Sequence, residues 1–226
     1  MDQGYSDTSV CPGMSNVDVV SPLSEFNTVQ DKDIRNILVK MCNASCSLDA
    51  QPTWLLKQNL DCNVPFLTKI VNSSLQSGVF PNKARQAIVT PIIKKQGLDS
   101  ENLQNYRPVS NLSHVAKVIE KAAASQLIEH LNSNDLNDPL QSAYRSDFRT
   151  ETALLKFQND VIMYFDQGKG VFVVSLDLSA AFDTVNHAML INLMEPLYHV
   201  SGTVLKWMQS YLSGWSARVS ISNELS

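Results

Sequence analysis

Apolar residues recur three or four positions apart in seven stretches of the chain. This spacing is that of one face of an α-helix, so it predicts seven amphipathic helices. The predicted helices cover residues 31–41, 53–60, 65–75, 113–131, 151–166, 184–197 and 204–212. In the helix over 151–166 we expect a buried apolar face. Its members are Leu154, Leu155, Val161, Ile162 and Phe165.

Other stretches have the composition of β-strands. Residues 86–93 are rich in β-branched side chains, and Pro91 places this strand at a sheet edge or a bulge. Residues 217–222 alternate as a strand does, and residues 140–149 suggest a short strand and turn. Residues 171–176 are apolar except for Ser175, which predicts a strand buried on both faces. The mixture of helices and strands indicates an α+β fold.

Asp177 follows directly on the predicted buried strand. A carboxylate in that position is unfavourable unless it meets a hydrogen-bond donor, a cation or a metal. Two interpretations stay open: a strand-end cap that binds backbone N–H groups, or a ligand for Mg²⁺, which prefers carboxylate oxygens. Asp183 is our candidate N-cap for the next helix, which we expect to end at Pro196 or just before it.

The charges are distributed unevenly although the chain carries a net charge of only −4. Residues 1–30 hold four acidic residues and no basic one, and they lack periodic apolar positions, so we expect a flexible lead-in. Residues 31–126 have a net charge of +5, and residues 127–226 have a net charge of −5. This layout suits phosphate on one side and cations on the other, although a solvated surface also produces it.

The cysteines and the hydropathy indicate the cellular compartment in which we expect the protein. Cys42-x-x-x-Cys46 resembles half of a zinc site, but no second pair lies at ligand spacing, so ordinary reduced thiols are the better interpretation. No run of 18 apolar residues is present, and residues 1–20 do not resemble a signal peptide. We therefore expect no membrane span and an intracellular location, cytoplasmic or nuclear.

Three cations follow or flank predicted elements, and two of them, Arg107 and Arg145, stand in contexts that favour contact with phosphate. Lys94 follows the predicted strand over 86–93. Arg107 precedes a proline, which restricts its backbone to extended conformations and helps to aim a planar guanidinium. Arg145 lies next to Tyr144 and near Phe148, a combination suited to backbone phosphates and stacked bases. Taken singly, each is also compatible with an ordinary surface arginine or lysine.

Eight separated segments together resemble the reverse transcriptase domain of non-LTR retrotransposons, the LINE-type elements, over roughly residues 30–222. The segments are Pro52-Thr-Trp-Leu-Leu-Lys57, Gly78-Val-Phe-Pro81, Ala87-Ile-Val-Thr-Pro91, Asn105-Tyr-Arg-Pro-Val-Ser-Asn-Leu112, Gln141-Ser-Ala-Tyr-Arg145, Thr150-Glu-Thr-Ala-Leu-Leu-Lys156, Leu176-Asp-Leu-Ser-Ala-Ala-Phe-Asp-Thr-Val185 and Ser210-Tyr-Leu-Ser-Gly214. Each segment is modest alone, but their shared order makes the probability of chance resemblance very small.

The resemblance implies a right-hand polymerase fold with fingers and a partial palm. It divides the chain into the flexible lead-in, a helical N-terminal extension over 31–85, a fingers-like region over 86–170 and a partial palm over 171–226. It also implies an RNA-directed DNA polymerase that uses two Mg²⁺ ions, an RNA template, a DNA primer and deoxynucleoside triphosphates.

The resemblance also assigns roles to single residues. It makes Asp177 the first catalytic, metal-binding carboxylate, with the backbone carbonyl of Leu178 assisting one ion. Lys94 and Arg107 match the residues that grip the incoming triphosphate. Phe182 matches the steric gate that excludes a ribose 2′-hydroxyl, and Arg145 falls in the segment that supports the template and the nucleotide pocket.

The sequence also departs from the family pattern. The family carries two adjacent aspartates on a hairpin downstream of the first carboxylate, and no Asp-Asp occurs in these 226 residues. We therefore expect this chain alone to be inactive, as a truncated fragment of the polymerase. Two alternatives stay open: a reused fragment that binds nucleic acid or a protein without catalysis, or a reading frame that continues past Ser226.

Overall fold

A computed structural model describes residues 21–43, 46–178 and 181–221, and the backbone of residues 224 and 225. In these residues seven helices and a small mixed sheet form an α+β fold, as the sequence predicts. The helices are α1 (Asp31–Lys40), α2 (Thr53–Gln58), α3 (Leu60–Ser77), α4 (His114–Ser133), α5 (Thr150–Asp166), α6 (His187–Tyr198) and α7 (Gly202–Tyr211). The strands are β1 (Gln86–Ile93), β2 (Tyr106–Leu112), β3 (Ser216–Ile221) and β4 (Glu224–Leu225). Short 3₁₀ turns lie at Asn82–Ala84 and Leu103–Asn105.

The helices occur where the periodicity predicts them, but α6 differs from the prediction at both ends. Asn186, not Asp183, caps this helix, because its side chain accepts a hydrogen bond from the Met189 backbone N–H at 3.0 Å. The helix also continues through Pro196 to Tyr198. A proline this close to the end removes only one helical hydrogen bond, so it does not stop the helix. No helix in the described ranges is long and apolar enough to cross a membrane.

The sheet has the strand order β2-β1-β3-β4. Strand β1 pairs antiparallel with β2 along its length, and its first half, Gln86–Val89, pairs in parallel with Ser216–Val219 of β3. Beyond Val89 only β2 accompanies β1 in the described part of the sheet, so Pro91 lies at an edge, as predicted. Ala87 and Ile88, in the part of β1 that lies between β2 and β3, are buried.

The core of the molecule lies among α1, α3, α4 and α7, with Phe80 and Trp207 near its centre. Phe80 is fully buried, and its ring packs edge-on against Trp207 and Tyr211 at centroid distances of 5.6 and 5.2 Å. The Trp207 indole N–H donates to Ser74 Oγ at 3.0 Å, so the buried ring leaves no donor unsatisfied.

One buried carboxyl joins α4 to α7. The Tyr211 hydroxyl donates to Glu120 Oε1 at 2.9 Å. Burial raises the pKa of the Glu120 carboxyl, although this hydrogen bond and the charge of Lys117 act in the opposite direction. Burial also raises the pKa of the Tyr211 hydroxyl, and the adjacent Glu120 adds to the increase.

Residues 21–30 form a strap across the helical layer, whereas the sequence predicts a flexible lead-in over 1–30. Residues 1–20 lie outside the described residues. In the strap, Leu23 forms a parallel bridge with Val200. The Asn72 side chain accepts from the Val29 N–H at 2.8 Å and donates to the Val29 carbonyl at 2.9 Å. The periodicity of apolar residues did not reveal this segment, because hydrogen bonds to single backbone groups leave no periodic signal.

Two predictions of burial are wrong. Helix α5 forms as predicted, but none of its residues is buried, and the side chains of Leu155 and Phe165 are 64% and 59% exposed. Residues 171–178 belong to no strand, and Phe172 is 99% exposed. An apolar run indicates only the conformation that the segment favours. A buried strand also needs a neighbouring strand whose backbone groups pair with its own N–H and C=O groups. No described strand pairs with residues 171–178.

Gly202 provides a test of how tightly the strap is held. Its φ is +52°, and a Cβ atom there would lie 2.6 Å from the Ser24 carbonyl oxygen. We expect Gly202→Ala to lower the free energy of unfolding by about 2–4 kcal/mol, because it adds a clash to the cost of a left-handed alanine. The measurement is urea denaturation followed by tryptophan fluorescence.

Gly168→Ala is the matched control, since Gly168 has a φ of +70° and a Cβ atom added there would meet nothing within 4 Å. This control incurs only the backbone cost of about 1 kcal/mol. Equal losses for the two variants would contradict the close approach of the strap to Gly202.

Candidate nucleotide-binding site

The β1–β2 hairpin brings two of the predicted cations onto one face. Ile92 lies directly opposite Arg107 in the ladder. The Lys94 backbone N–H donates to the Asn105 carbonyl at 2.8 Å, which extends the same register past the end of β1. Side chains alternate along a strand, so Lys94 and Arg107 are diagonal neighbours on one face, where such pairs lie about 7–8 Å apart. We call this surface the cationic face.

The two cations differ in how they are held. The Lys94 ammonium donates to the Gln104 carbonyl at 2.7 Å. In the described part of the chain, no hydrogen bond or ion pair engages the Arg107 guanidinium, which is exposed on β2. An exposed guanidinium beside a tethered ammonium suits a polyphosphate, because the fork of arginine binds two oxygens while lysine acts as a point charge.

The loop between the strands is ordered by its own side chains, which the sequence analysis missed. Asn102 Oδ1 accepts from the Gln104 N–H at 3.0 Å and so caps the short 3₁₀ turn that carries the Gln104 carbonyl. An asparagine that binds the backbone two residues later is a known turn signal, so Asn102 was detectable from the sequence.

The Arg145 segment forms two successive turns, not the predicted short strand and turn. Tyr144 and Asp147 have φ values of +62° and +67°, which an extended strand does not permit. Arg145 Nη1 donates to the carbonyls of Asp138 and Gln141 at 3.2 and 3.3 Å. Its guanidinium also lies 4.5 Å from the centre of the Phe148 ring. In this structure Arg145 therefore shapes its own loop.

The predicted catalytic segment is exposed. Asp177 has an exposed side chain, Leu178 is 79% exposed and Phe182 is 77% exposed. The Phe182 ring packs edge-on against Tyr144 at a centroid distance of 6.3 Å, which joins the segment to the Arg145 loop. Residues 179 and 180, which lie between Leu178 and Phe182, are outside the described residues.

The structure does not gather the predicted site residues into one cluster. Lys94 and Arg107 share a face, and Phe182 contacts the loop that holds Arg145. No hydrogen bond or ion pair among the described residues joins Asp177 to either hairpin cation.

The carboxylate by itself does not fit a two-magnesium centre. Over residues 21–43, 46–178 and 181–221, no three His, Cys, Asp or Glu side chains are close enough to hold a metal ion. Such a centre requires several oxygen ligands held in fixed geometry, and Asp177 and the Leu178 carbonyl supply two at most. We therefore derive no catalytic step through magnesium from these residues.

The cysteines of the described ranges do not form a metal site either. Cys42, Cys46 and Cys62 are free thiols. Cys11, the remaining cysteine of the sequence, lies outside the described residues. The Cys46 thiol lies 3.7 Å from the Asn111 carbonyl, which is a weak contact with β2.

Comparison with known proteins places the chain from the end of β1 onward within one family. A family model described as reverse transcriptase (RNA-dependent DNA polymerase) matches residues 93–225, more than half of the chain. The chain therefore belongs to the reverse transcriptase family. The matched range includes the cationic face, the Arg145 loop and Asp177. Reverse transcriptases in general depend on Mg²⁺.

Individual relatives identify the branch of the family. The chain is 27% identical over 133 residues to a probable RNA-directed DNA polymerase from transposon BS of Drosophila melanogaster, with 59% of this chain and 15% of the relative covered. It is 26% identical over 170 residues to the RNA-directed DNA polymerase from mobile element jockey of the same organism, with 74% and 18% covered.

A third relative is the retrovirus-related Pol polyprotein from type-1 retrotransposable element R2 of Popillia japonica. It is 29% identical over 128 residues, with 57% of this chain and 17% of the relative covered. The resemblance to reverse transcriptases of non-LTR retrotransposons is confirmed. The chain spans less than a fifth of the length of these curated relatives.

The Arg145 contacts give a prediction about the loop. We expect Arg145→Ala to increase the amide exchange rate over residues 138–149 by about thirtyfold, since two hydrogen bonds of about 1 kcal/mol each are lost. Hydrogen–deuterium exchange with mass spectrometry measures this rate. The control is Lys156→Ala, which removes only an exposed contact with Asp160 on α5. Unchanged exchange over 138–149 in the Arg145 variant would contradict the ordering role.

Proposed function

We propose that this chain supplies the triphosphate-gripping part of an RNA-directed DNA polymerase, namely the fingers and the first part of the palm. The observation that carries the proposal is the cationic face, where the β1–β2 register places Lys94 beside Arg107. Membership in the reverse transcriptase family supports it, because both residues lie in the matched range.

The chemistry of nucleotide addition explains why such a face is needed. Phosphoryl transfer depends mainly on positioning and on stabilising charge on the phosphate oxygens. Lys94 and Arg107 do both from one rigid surface: the ammonium neutralises charge, and the guanidinium orients two oxygens at once. The hydrogen bond to the Gln104 carbonyl already restricts the Lys94 ammonium, so less side-chain entropy is lost there when the nucleotide binds, whereas the exposed Arg107 guanidinium has to be ordered by the phosphate.

The remaining roles are assigned in the same proposal. Asp177 and the Leu178 carbonyl contribute hard oxygen donors of the kind that Mg²⁺ takes, as part of a larger ligand set. Phe182 packs under the sugar and excludes a 2′-hydroxyl. Arg145, through the loop that it orders, supports the template beside the nucleotide pocket. The substrates are deoxynucleoside triphosphates, an RNA template and a DNA primer.

The cationic face can be tested by direct binding. We expect Lys94→Ala and Arg107→Ala each to weaken dTTP binding about five- to tenfold, since each removes charge-assisted hydrogen bonds that are partly screened by water. Titration in EDTA with fluorescence or calorimetric detection measures the affinity without a metal contribution. Lys95→Ala is the matched control, an exposed neighbouring cation for which we expect less than about a twofold change. If all three variants bind alike, the proposed face is wrong.

The catalytic side leads to a separate prediction. We expect these 226 residues alone to give no primer extension on an RNA template with Mg²⁺ and dNTPs, because Asp177 is the single carboxylate that the resemblance assigns to a centre of two ions. A primer-extension assay on a denaturing gel measures this, with an active reverse transcriptase as the positive control. Robust extension would show that other carboxylates of this chain complete the centre.

Binding of RNA without catalysis is a second candidate function. The exposed cations Lys94, Lys95, Arg107 and Arg149 favour it, since phosphate contacts supply most of the affinity of non-specific RNA binding. Salt-dependent RNA binding that is lost in Lys94→Ala and Arg107→Ala, without measurable binding of dTTP, would favour this function over the gripping of a nucleotide.

A further inference from the structure

The Lys94 ammonium is tethered although the side chain is exposed. Its hydrogen bond to the Gln104 carbonyl measures 2.7 Å, and its own backbone N–H is bonded to Asn105. A free lysine side chain has four rotatable bonds and loses considerable entropy when a ligand fixes it. The carbonyl restricts the ammonium in advance and leaves two of its three N–H donors for a ligand.

The position of the Gln104 carbonyl depends in turn on the loop over 96–105. Asn105 and Tyr106 brace this loop at two consecutive carbonyls. Asn105 Nδ2 donates to the Asp99 carbonyl at 2.9 Å, and the Tyr106 hydroxyl donates to the Ser100 carbonyl at 3.1 Å. Asn105 ends the short 3₁₀ turn and Tyr106 begins β2, so the two side chains hold the loop at the point where it enters the strand.

We infer that Asn105 and Tyr106 are positioning residues for Lys94, which act through the Gln104 carbonyl to hold the ammonium on the cationic face for a nucleoside triphosphate. Neither side chain needs to touch the ligand. The inference rests on the proposed function, because it takes Lys94 as a phosphate-binding residue. It adds that the Lys94 affinity depends on a brace formed by its two neighbours across the loop.

Tyr106→Phe is the sharpest variant, because it removes one hydroxyl and keeps the ring. We expect it to weaken dTTP binding in EDTA about two- to fourfold, as the lysine becomes less ordered before binding. The same loss should appear in an Arg107→Ala background and vanish in a Lys94→Ala background, where there is no ammonium to position. Tyr164→Phe, on α5, is the matched control and should leave the affinity unchanged.

Asn105→Ala provides a second test at the other hydrogen bond of the brace. Its loss of affinity should also disappear in the Lys94→Ala background. Hydrogen exchange of residues 86–93 and 106–112 verifies that each variant retains the hairpin, so weaker binding cannot be attributed to unfolding.

The possible outcomes separate the two proposals. If Tyr106→Phe weakens binding equally in all backgrounds, the hydroxyl supports the hairpin in general and the positioning role is overturned. If Lys94→Ala weakens binding but neither Tyr106→Phe nor Asn105→Ala does so, the inference fails while the cationic face remains. If Lys94→Ala has no effect, both the inference and the proposed function fail.

Discussion

The register between β1 and β2 is the constraint on which the arrangement of the site depends. The Lys94 N–H donates to the Asn105 carbonyl. Hydrogen-bonded positions alternate along an antiparallel pair, so Ile92 and Thr90 also direct their N–H and C=O groups toward β2. Pro91 and Pro108 lie opposite each other at the intervening position, which is a non-hydrogen-bonded pair. Neither residue has to donate a backbone N–H to the other strand there. A shift of one residue would turn Pro108 toward β1, where a donor is required. The two prolines therefore protect the register that puts Lys94 and Arg107 on the same face.

That register is itself fixed by packing at the other end of β1. Ala87 and Ile88 are buried, and β3 begins beside them because the Ser216 N–H donates to the Arg85 carbonyl at 3.0 Å. The Arg85 guanidinium donates to the Phe80 carbonyl at 2.8 Å and to Ser210 Oγ at 2.6 Å, which ties the start of β1 to α7 and to the aromatic core. A chain of specific contacts thus runs from the helical layer to the base of the hairpin.

Features that depend on residues close together in the sequence are predicted correctly. Features that depend on packing against another segment are not. The helices follow from periodicity, and the strand at 86–93 follows from β-branched residues, since both signals are local. The strand at 171–176 and the buried face of α5 do not occur in the structure, because burial depends on a neighbour that the pattern does not specify. The predicted cap at Asp183 was wrong because aspartate and asparagine are equally good N-caps, so residue type alone does not fix where a helix begins. The hydrogen bonds from Asn105 and Tyr106 end on backbone carbonyls. Every residue has a backbone carbonyl, so the sequence does not show which one a side chain will bind.

The two halves of the candidate site therefore differ in what they require. The cationic face is set by the register of the hairpin and by the loop that holds the Lys94 ammonium, and its proposed contact with phosphate needs no further strand. Asp177 lies at the end of a segment whose side chains are exposed, and fixing such a backbone costs about 1–2 kcal/mol per residue. Burying a phenylalanine or leucine side chain returns about 1.5–3 kcal/mol, and Phe172 and Leu176 are almost fully exposed. A neighbouring strand that covers these residues is therefore what would hold Asp177 in place, so the proposed phosphate binding and the proposed metal-dependent chemistry have different structural requirements.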